Sequence, residues 1–334
     1  MISETGIREA VFSTFDIDRI SKPMVEVGLF KRVALPDAPR EQFTQWHVPA
    51  ACTRIEQALL VPRDSANGCG ALRLVKFHGV EQQVMRSSQR SWDTGGIFDV
   101  DVFTTDCTGV YRQLQKYGWT ALGEPVDYSE AMFSVRQVVA VGPDGFMLAM
   151  IQRYSPPVEN QPKHQPMSPI FNSTQMVADF ERAVAFYTQT LGFGTRMTFP
   201  VRNTVEPGAD VLGLPLPFAR DADRMIGMFH PPGLSTGVEL IVNKSMRGRD
   251  FSATCIAPNV GILCLRIPVS DATRYAAEIA ARGGALYAPP KTFEIAPYGP
   301  VTLFSVRSPE GAIVEFFDAP FENLPRQVPT PTRS

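Results

Sequence analysis

The chain has no surplus of charge of either sign: 32 basic side chains face 34 acidic ones over 334 residues, a formal net charge of -2. Without a basic excess there is little to neutralise a phosphate backbone, so nucleic acid is not an expected partner. No apolar run approaches the ~18 residues that a membrane helix needs, and no membrane partner is expected either. The opening residues, MISETGIREAVFS, include acids and lack the basic-then-apolar order of a secretory signal. Cysteine is sparse and scattered (Cys52, Cys69, Cys107, Cys255 and Cys264), odd in number and without a CxxC pair. Such thiols suit a reducing compartment better than a disulfide framework, and the expected location is cytoplasmic.

What is present is an ordinary globular composition, 44% hydrophobic and 20% charged. At roughly 150 residues per domain the length suggests two domains. A polar, proline-rich stretch at 156–167 has the composition of a linker, and the proline-containing tail at 325–334 reads as loose.

The two sides of that linker repeat each other. STFDIDRISKPMVEVGLF around Asp16 matches QMVADFERAVAFYTQTLGF around Asp179, 163 residues on. DVFTTDCTGVYRQLQKYGW around Asp106 matches LRIPVSDATRYAAEIAARGG around Asp271, an offset of 165. VGPDGFMLAMIQ around Asp144 matches RSPEGAIVEFFD around Glu310, an offset of 166. Offsets this consistent indicate duplication. Each half is itself double, because in each half an apolar strand runs twice into an Asp that opens a helix.

Local signals agree. Asp179 and Asp271 stand where a helix N-cap is wanted, and a carboxylate there accepts orphan backbone N–H groups and complements the helix dipole. Phe180, Ala183, Val184, Tyr187 and Leu191 are spaced as one helix face, and Gly192 falls where a left-handed cap is favoured. GVELIVNK at 237–244 and VTLFSV at 301–306 read as strands bounded by turn residues.

FERAVAFYTQTLGF and SPEGAIVEFFD resemble the vicinal oxygen chelate superfamily of glyoxalase I, bleomycin-resistance proteins and extradiol dioxygenases. The likeness spans about 7–155 and 168–320; it is specific in the second half and degenerate in the first, where FY becomes Met24-Val25. It implies an α+β fold of four βαβββ modules forming two tandem incomplete β-barrels. These would be an N-terminal domain at 1–155 and a C-terminal domain at 168–324.

The resemblance also implies where a divalent metal would be held. One ligand position lies seven residues before the capping Asp, which gives Glu9 in the first module and Asn172 in the third. Another is the terminal strand, giving Ala149 and Glu315. The first strand of the fourth module, GILCLRI, offers no imidazole or carboxylate, while that of the second, IFDVDVF, carries Asp99 and Asp101. A His-His-Glu triad is absent, so no cofactor is expected, with a divalent metal left open.

Glu315 is then the leading candidate. Strand alternation puts Glu315 and Phe317 on one face of GAIVEFFD, with Val314 and Phe316 on the other. A carboxylate on the concave face among aromatics is expected to have a raised pKa suited to proton transfer. Tyr298, His230 and Arg307 are candidate catalytic partners, and Asn172, Phe171, Phe304, Phe317 and Met228 are candidate substrate contacts. Glu239 in GVELIV can face either way. His47, His78 and His164 read as surface or turn residues.

Three functions fit these residues. The first is a lyase- or isomerase-type enzyme of small-molecule metabolism, using Glu315 as acid or base on an apolar, oxygenated, ring-bearing compound. The second is a non-catalytic binder that sequesters a small molecule, and the third a dioxygenase with rearranged metal ligands. A homodimer is compatible with each.

Overall fold

A computed structural model of the chain describes residues 6–63, 65, 69–130, 133–157, 166–201, 210–214, 219, 223–234 and 237–318. The centre of the proline-rich linker, His164 and the C-terminal tail lie outside the described residues.

Four modules of one plan follow one another. The first comprises β1 (Glu9–Ser13), α1 (Ile17–Glu26), β2 (Lys31–Ala34), a short inserted α2 (Arg40–Gln45), β3 (Arg54–Val61) and β4 (Ala71–His78). The second holds β5 (Asp99–Phe103), α3 (Cys107–Gln115), β6 (Thr120–Ala121), β7 (Val126–Glu130), β8 (Phe133–Val141) and β9 (Met147–Ser155). The third holds β10 (Asn172–Met176), α4 (Phe180–Ala185) running into a π-turn at Phe186–Thr190, β11 (Gly194–Val201), β12 (Arg224–His230) and β13 (Val238–Asn243). The fourth holds β14 (Gly261–Pro268), α5 (Ala272–Ala281), β15 (Leu286–Ile295), β16 (Gly299–Arg307) and β17 (Ile313–Phe317).

All four principal helices start on the aspartates picked out by the repeat. Asp16 accepts from Asp18 N, Asp106 from Gly109 N, Asp179 from Arg182 N and Asp271 from Arg274 N, at 2.8–3.0 Å. Gly192 closes the third module's helix at φ +76°, a conformation that side-chain-bearing residues rarely adopt.

The modules do not pair in sequence order. One eight-stranded sheet runs β15-β16-β17-β14-β1-β4-β3-β2, joining the first module to the fourth; the other runs β11-β12-β13-β10-β5-β9-β8-β6, with β7 beside β8, joining the second to the third. Each sheet has a pseudo-twofold centre where two first strands meet antiparallel, β1 with β14 and β5 with β10. The halves 1–155 and 168–324, expected as two consecutive barrels, are therefore not the units from which the sheets are built. Neither sheet closes on itself, as expected of incomplete barrels.

One face of each sheet packs with the helices into a shared core. Ala10, Phe12, Val100, Val102, Leu240, Val242, Leu265, Ile267, Val314 and Phe316 all belong to it. The Phe12–Phe146 contact at 4.7 Å and the Phe193–Phe316 contact at 6.4 Å tie the two sheets together across it. Each large side chain so buried contributes about 1.5–3 kcal/mol. The opposite faces form two separate cups. Among the described residues no helix is long and apolar enough to cross a membrane, and all five cysteines are buried free thiols.

Candidate functional site: two cups with opposite charge balance

The cup of modules 1 and 4 is filled by an ion network. Glu9 on β1 lies in register with Arg266 on β14, and Arg266 with Glu315 on β17. Arg73 on β4 donates to both oxygens of Glu9, each at 2.8 Å, and Arg266 Nη1 donates to Glu9 at 3.1 Å. Arg266 Nε donates to Glu315 at 2.7 Å. From α2 and the residue after it, Trp46 Nε1 donates to Glu315 at 2.6 Å, and the Gln42 side-chain oxygen accepts from Arg266 at 2.8 Å. Tyr298, in the β15–β16 turn, donates to Glu9 at 2.5 Å. The four charged side chains are at most 1% exposed.

Two acids and two bases cancel, and this balance is what lets charges persist without water. Burial pushes the Glu9 carboxyl up, but Arg73, Arg266 and Tyr298 outweigh it and hold the group at about 2. Burial alone would weaken the hold of Arg266 on its proton; Glu315 and Glu9 more than reverse that. The Tyr298 hydroxyl is raised by burial and by Glu9.

Glu315 and Phe317 do share the concave face, with Val314 and Phe316 against the core. Glu315, expected among aromatics as an acid for proton transfer, stands instead in an ion network, bound by the Arg266 guanidinium and the Trp46 indole. Arg307 follows Ser305 on the same face but turns its guanidinium to the Ser252 carbonyl at 2.5 Å. Phe304 is not a cup residue. It faces the helices, stacked on Phe316 at 5.2 Å and edge-on to Tyr275 at 6.1 Å.

The cup of modules 2 and 3 has the reverse character. Asp99 and Asp101 project from β5, with Asn172 and Thr174 across the central pairing on β10 and Glu239 on β13 in register with Thr174. Asn172 Nδ2 donates to Asp101 at 2.7 Å and Thr174 Oγ1 to Glu239 at 3.0 Å. Asp99 and Asp101 are close enough to influence each other's ionisation. Among the described residues none of the three acids is in an ion pair, and Oδ1 of both Asp99 and Asp101 is buried without a hydrogen-bond partner. Arg86 is nearby, but its guanidinium is taken up by backbone carbonyls of Gly95 and Asp93.

Unpaired burial makes the charged forms costly. Burial pushes Asp99 up to about 6, moderated by Thr174. Burial, then Asp99 and Glu239, push Asp101 well above the ordinary carboxylate range. Burial and Asp99 push Glu239 up to about 7.

Apolar side chains surround these acids: Ala149, Met176, Ile226 and Ile241, onto which Val211 and Leu212 pack. Met228 pairs with Glu239 on the neighbouring strand. Phe171 stacks on Phe103 at 4.0 Å beside Asn172. His230 ends β12, its Nδ1 3.2 Å from the Pro231 carbonyl.

The nine residues expected to form one site are therefore divided. Glu315, Tyr298, Phe317 and Arg307 lie in the 1–4 sheet, with Phe304 on its reverse side, whereas Asn172, Phe171, Met228 and His230 lie in the 2–3 sheet. Asn172 faces Asp101, not Glu315. His47 and His78 are held at the periphery, by the Tyr287 carbonyl at 2.9 Å and by Glu56 at 3.1 Å.

Arg73, Arg266, Trp46 and Gln42 were not anticipated. The available signal was an arginine inside each of the apolar strands ALRLVKFH and GILCLRIP, since a buried charge calls for a buried partner. A divalent metal does not fit the 1–4 cup, because guanidiniums occupy two of the four facing positions and cannot ligate. Among the described residues, no three His, Cys, Asp or Glu side chains are arranged to hold a metal ion in either cup.

No protein-family model and no curated protein matches the chain. Solved structures do. Glyoxalase I from Zea mays superposes with a TM-score of 0.63 at 19% identity, over 95% of this chain and 93% of that one. A Bacillus subtilis protein assigned as a dioxygenase superposes with a TM-score of 0.56 at 10% identity, over 95% and 86% respectively. With four βαβββ modules set in two open sheets, the chain has the vicinal oxygen chelate fold in its tandem, single-chain form.

Proposed function

We propose that the protein is a small-molecule enzyme of lyase or isomerase type, moving protons in the 2–3 cup. The observation that carries this is the set of three unpaired carboxyls there, two with a partnerless oxygen. Burial raises all three carboxyls, Glu239 to about 7, and a carboxyl so raised can both take and give a proton, the property acid–base catalysis needs. In this reading Asp101 and Glu239 exchange a proton with the bound compound, Asp99 sets how tightly Asp101 holds it, and Asn172 orients Asp101. Phe171, Met228 and Ile226 form an apolar wall for a compound with hydrogen-bonding oxygens. The role first considered for Glu315 passes to these acids.

The test is solvent-deuterium incorporation into metabolites incubated with the full-length protein, read by mass spectrometry. A compound labelled by the wild type should be labelled about 10²–10⁴-fold more slowly by Asp101→Asn and Glu239→Gln, and normally by folded Glu315→Gln. Labelling that survives both cup substitutions refutes the proposal. A compound bound tightly by the wild type with neither label nor product identifies a sequestering protein instead.

A further inference from the structure

The two cups use the same strand positions about equivalent pseudo-twofold pairings, yet at those positions one carries two arginines and the other carries carboxyls, Asn172, Thr174 and Ala149. We infer that the 1–4 cup is a cation site whose cation is supplied by the chain itself, Arg73 and Arg266 standing where a dication would balance Glu9 and Glu315, so that the cup is a closed lock between the two ends of the chain.

Several observations converge on this. The charge is balanced within the network, and the guanidinium nitrogens are directed at carboxylate or amide oxygens rather than at an opening. Arg73 reaches Glu9 twice, the Gln57 side chain at 2.7 Å and the Ala296 carbonyl at 2.7 Å. Arg266 reaches Glu9, Glu315 and Gln42 and lies over the Trp46 ring at 5.7 Å. Every partner set crosses from the first module to the fourth, and Gln45 adds a bond to the Pro289 carbonyl at 3.2 Å. Helix α2 with Trp46 forms the roof, inserted between β2 and β3, whereas the second module passes from β6 to β7 without a helix. A guanidinium offers its positive charge through planar, directional N–H groups that match carboxylates, so two of them can replace one divalent ion without water or an open coordination position.

Removing the built-in cations should therefore create a metal site. The double variant Arg73→Gln/Arg266→His removes both guanidiniums and sets an imidazole between Glu9 and Glu315, with a net negative charge to be balanced. Purified full-length wild type and variant would be dialysed against zinc chloride alone, and bound zinc measured by elemental analysis. The variant should hold one more equivalent of zinc per chain than the wild type, lose it when Glu315→Gln is added, and melt at lower temperature with a chelator, whereas the wild type melts unchanged. A folded variant with no extra zinc overturns the inference. Should the double variant not fold, Glu9→Gln in the wild-type chain decides: an unchanged zinc content supports the lock, and the loss of one equivalent overturns it.

Discussion

Asp99→Asn offers the sharpest test of the charge arrangement in the 2–3 cup. The side chain is fully buried, and that burial, only partly offset by Thr174, Asp101 and the more distant Arg86, raises its carboxyl from 3.8 to about 6. A raised folded-state pKa means that the folded chain keeps a proton that the unfolded chain has released, so stability falls as pH rises between the two values. A shift of about two units at ~1.4 kcal/mol each makes the full penalty about 3 kcal/mol, reached above pH ~6 and small at pH ~4. Asparagine has the same shape, can accept from Thr174 and donate to Asp101, and cannot ionise. It also removes the charge that pushes Asp101 up, which acts in the same direction. Stability measured by urea unfolding at closely spaced pH values should therefore show the variant gaining on the wild type, from under ~1 kcal/mol near pH 4 to about 3 kcal/mol at pH 7. Acid effects elsewhere in the chain cancel in the difference. A difference independent of pH, or one that shrinks as pH rises, would refute the account of unpaired buried carboxyls.

Other outcomes follow from the 1–4 cup. Arg266→Met, which strands Glu315 and part of Glu9 without a counter-charge, should lower unfolding free energy by about 3–5 kcal/mol. Trp46→Phe deletes a hydrogen bond to a charged acceptor and should cost about 1.5–3 kcal/mol by the same assay. Glu9 is held at about 2, below its ordinary 4.5; its contribution is complete above pH ~4.5 and is lost as pH falls through ~2, so Glu9→Gln should flatten the acid limb of the stability curve. Phe304→Ala should cost about 3–5 kcal/mol of stability and leave deuterium exchange in the folded fraction unchanged, because its ring faces the helices; slowed exchange would contradict that placement.

Much of the local structure was legible in the sequence. The capping aspartates appear at each repeat, the glycine after the third helix adopts its left-handed turn, and β17 presents Glu315 and Phe317 to one side and Val314 and Phe316 to the other. These are short-range facts, fixed by which backbone groups a side chain can reach and by the two-residue period of a strand. The candidate site was harder to read because it depends on partners. Glu239 was ambiguous until the register with Thr174 was known, and Glu315 looked like an unpaired acid because Arg266 and Trp46 are 49 and 269 residues away.

Sequence by itself determined that the chain is built of four like modules, where each begins, and how the last strand divides its two faces. Only the tertiary structure decided that the first module joins the fourth and the second the third. Like modules carry like edge strands, and the local pattern of any one of them suits several partners equally, so the choice rests on contacts between residues far apart in the chain. That choice brings two arginines to two glutamates in one cup, leaves three carboxyls in the other without an ion pair among the described residues, and keeps Asn172 away from Glu315.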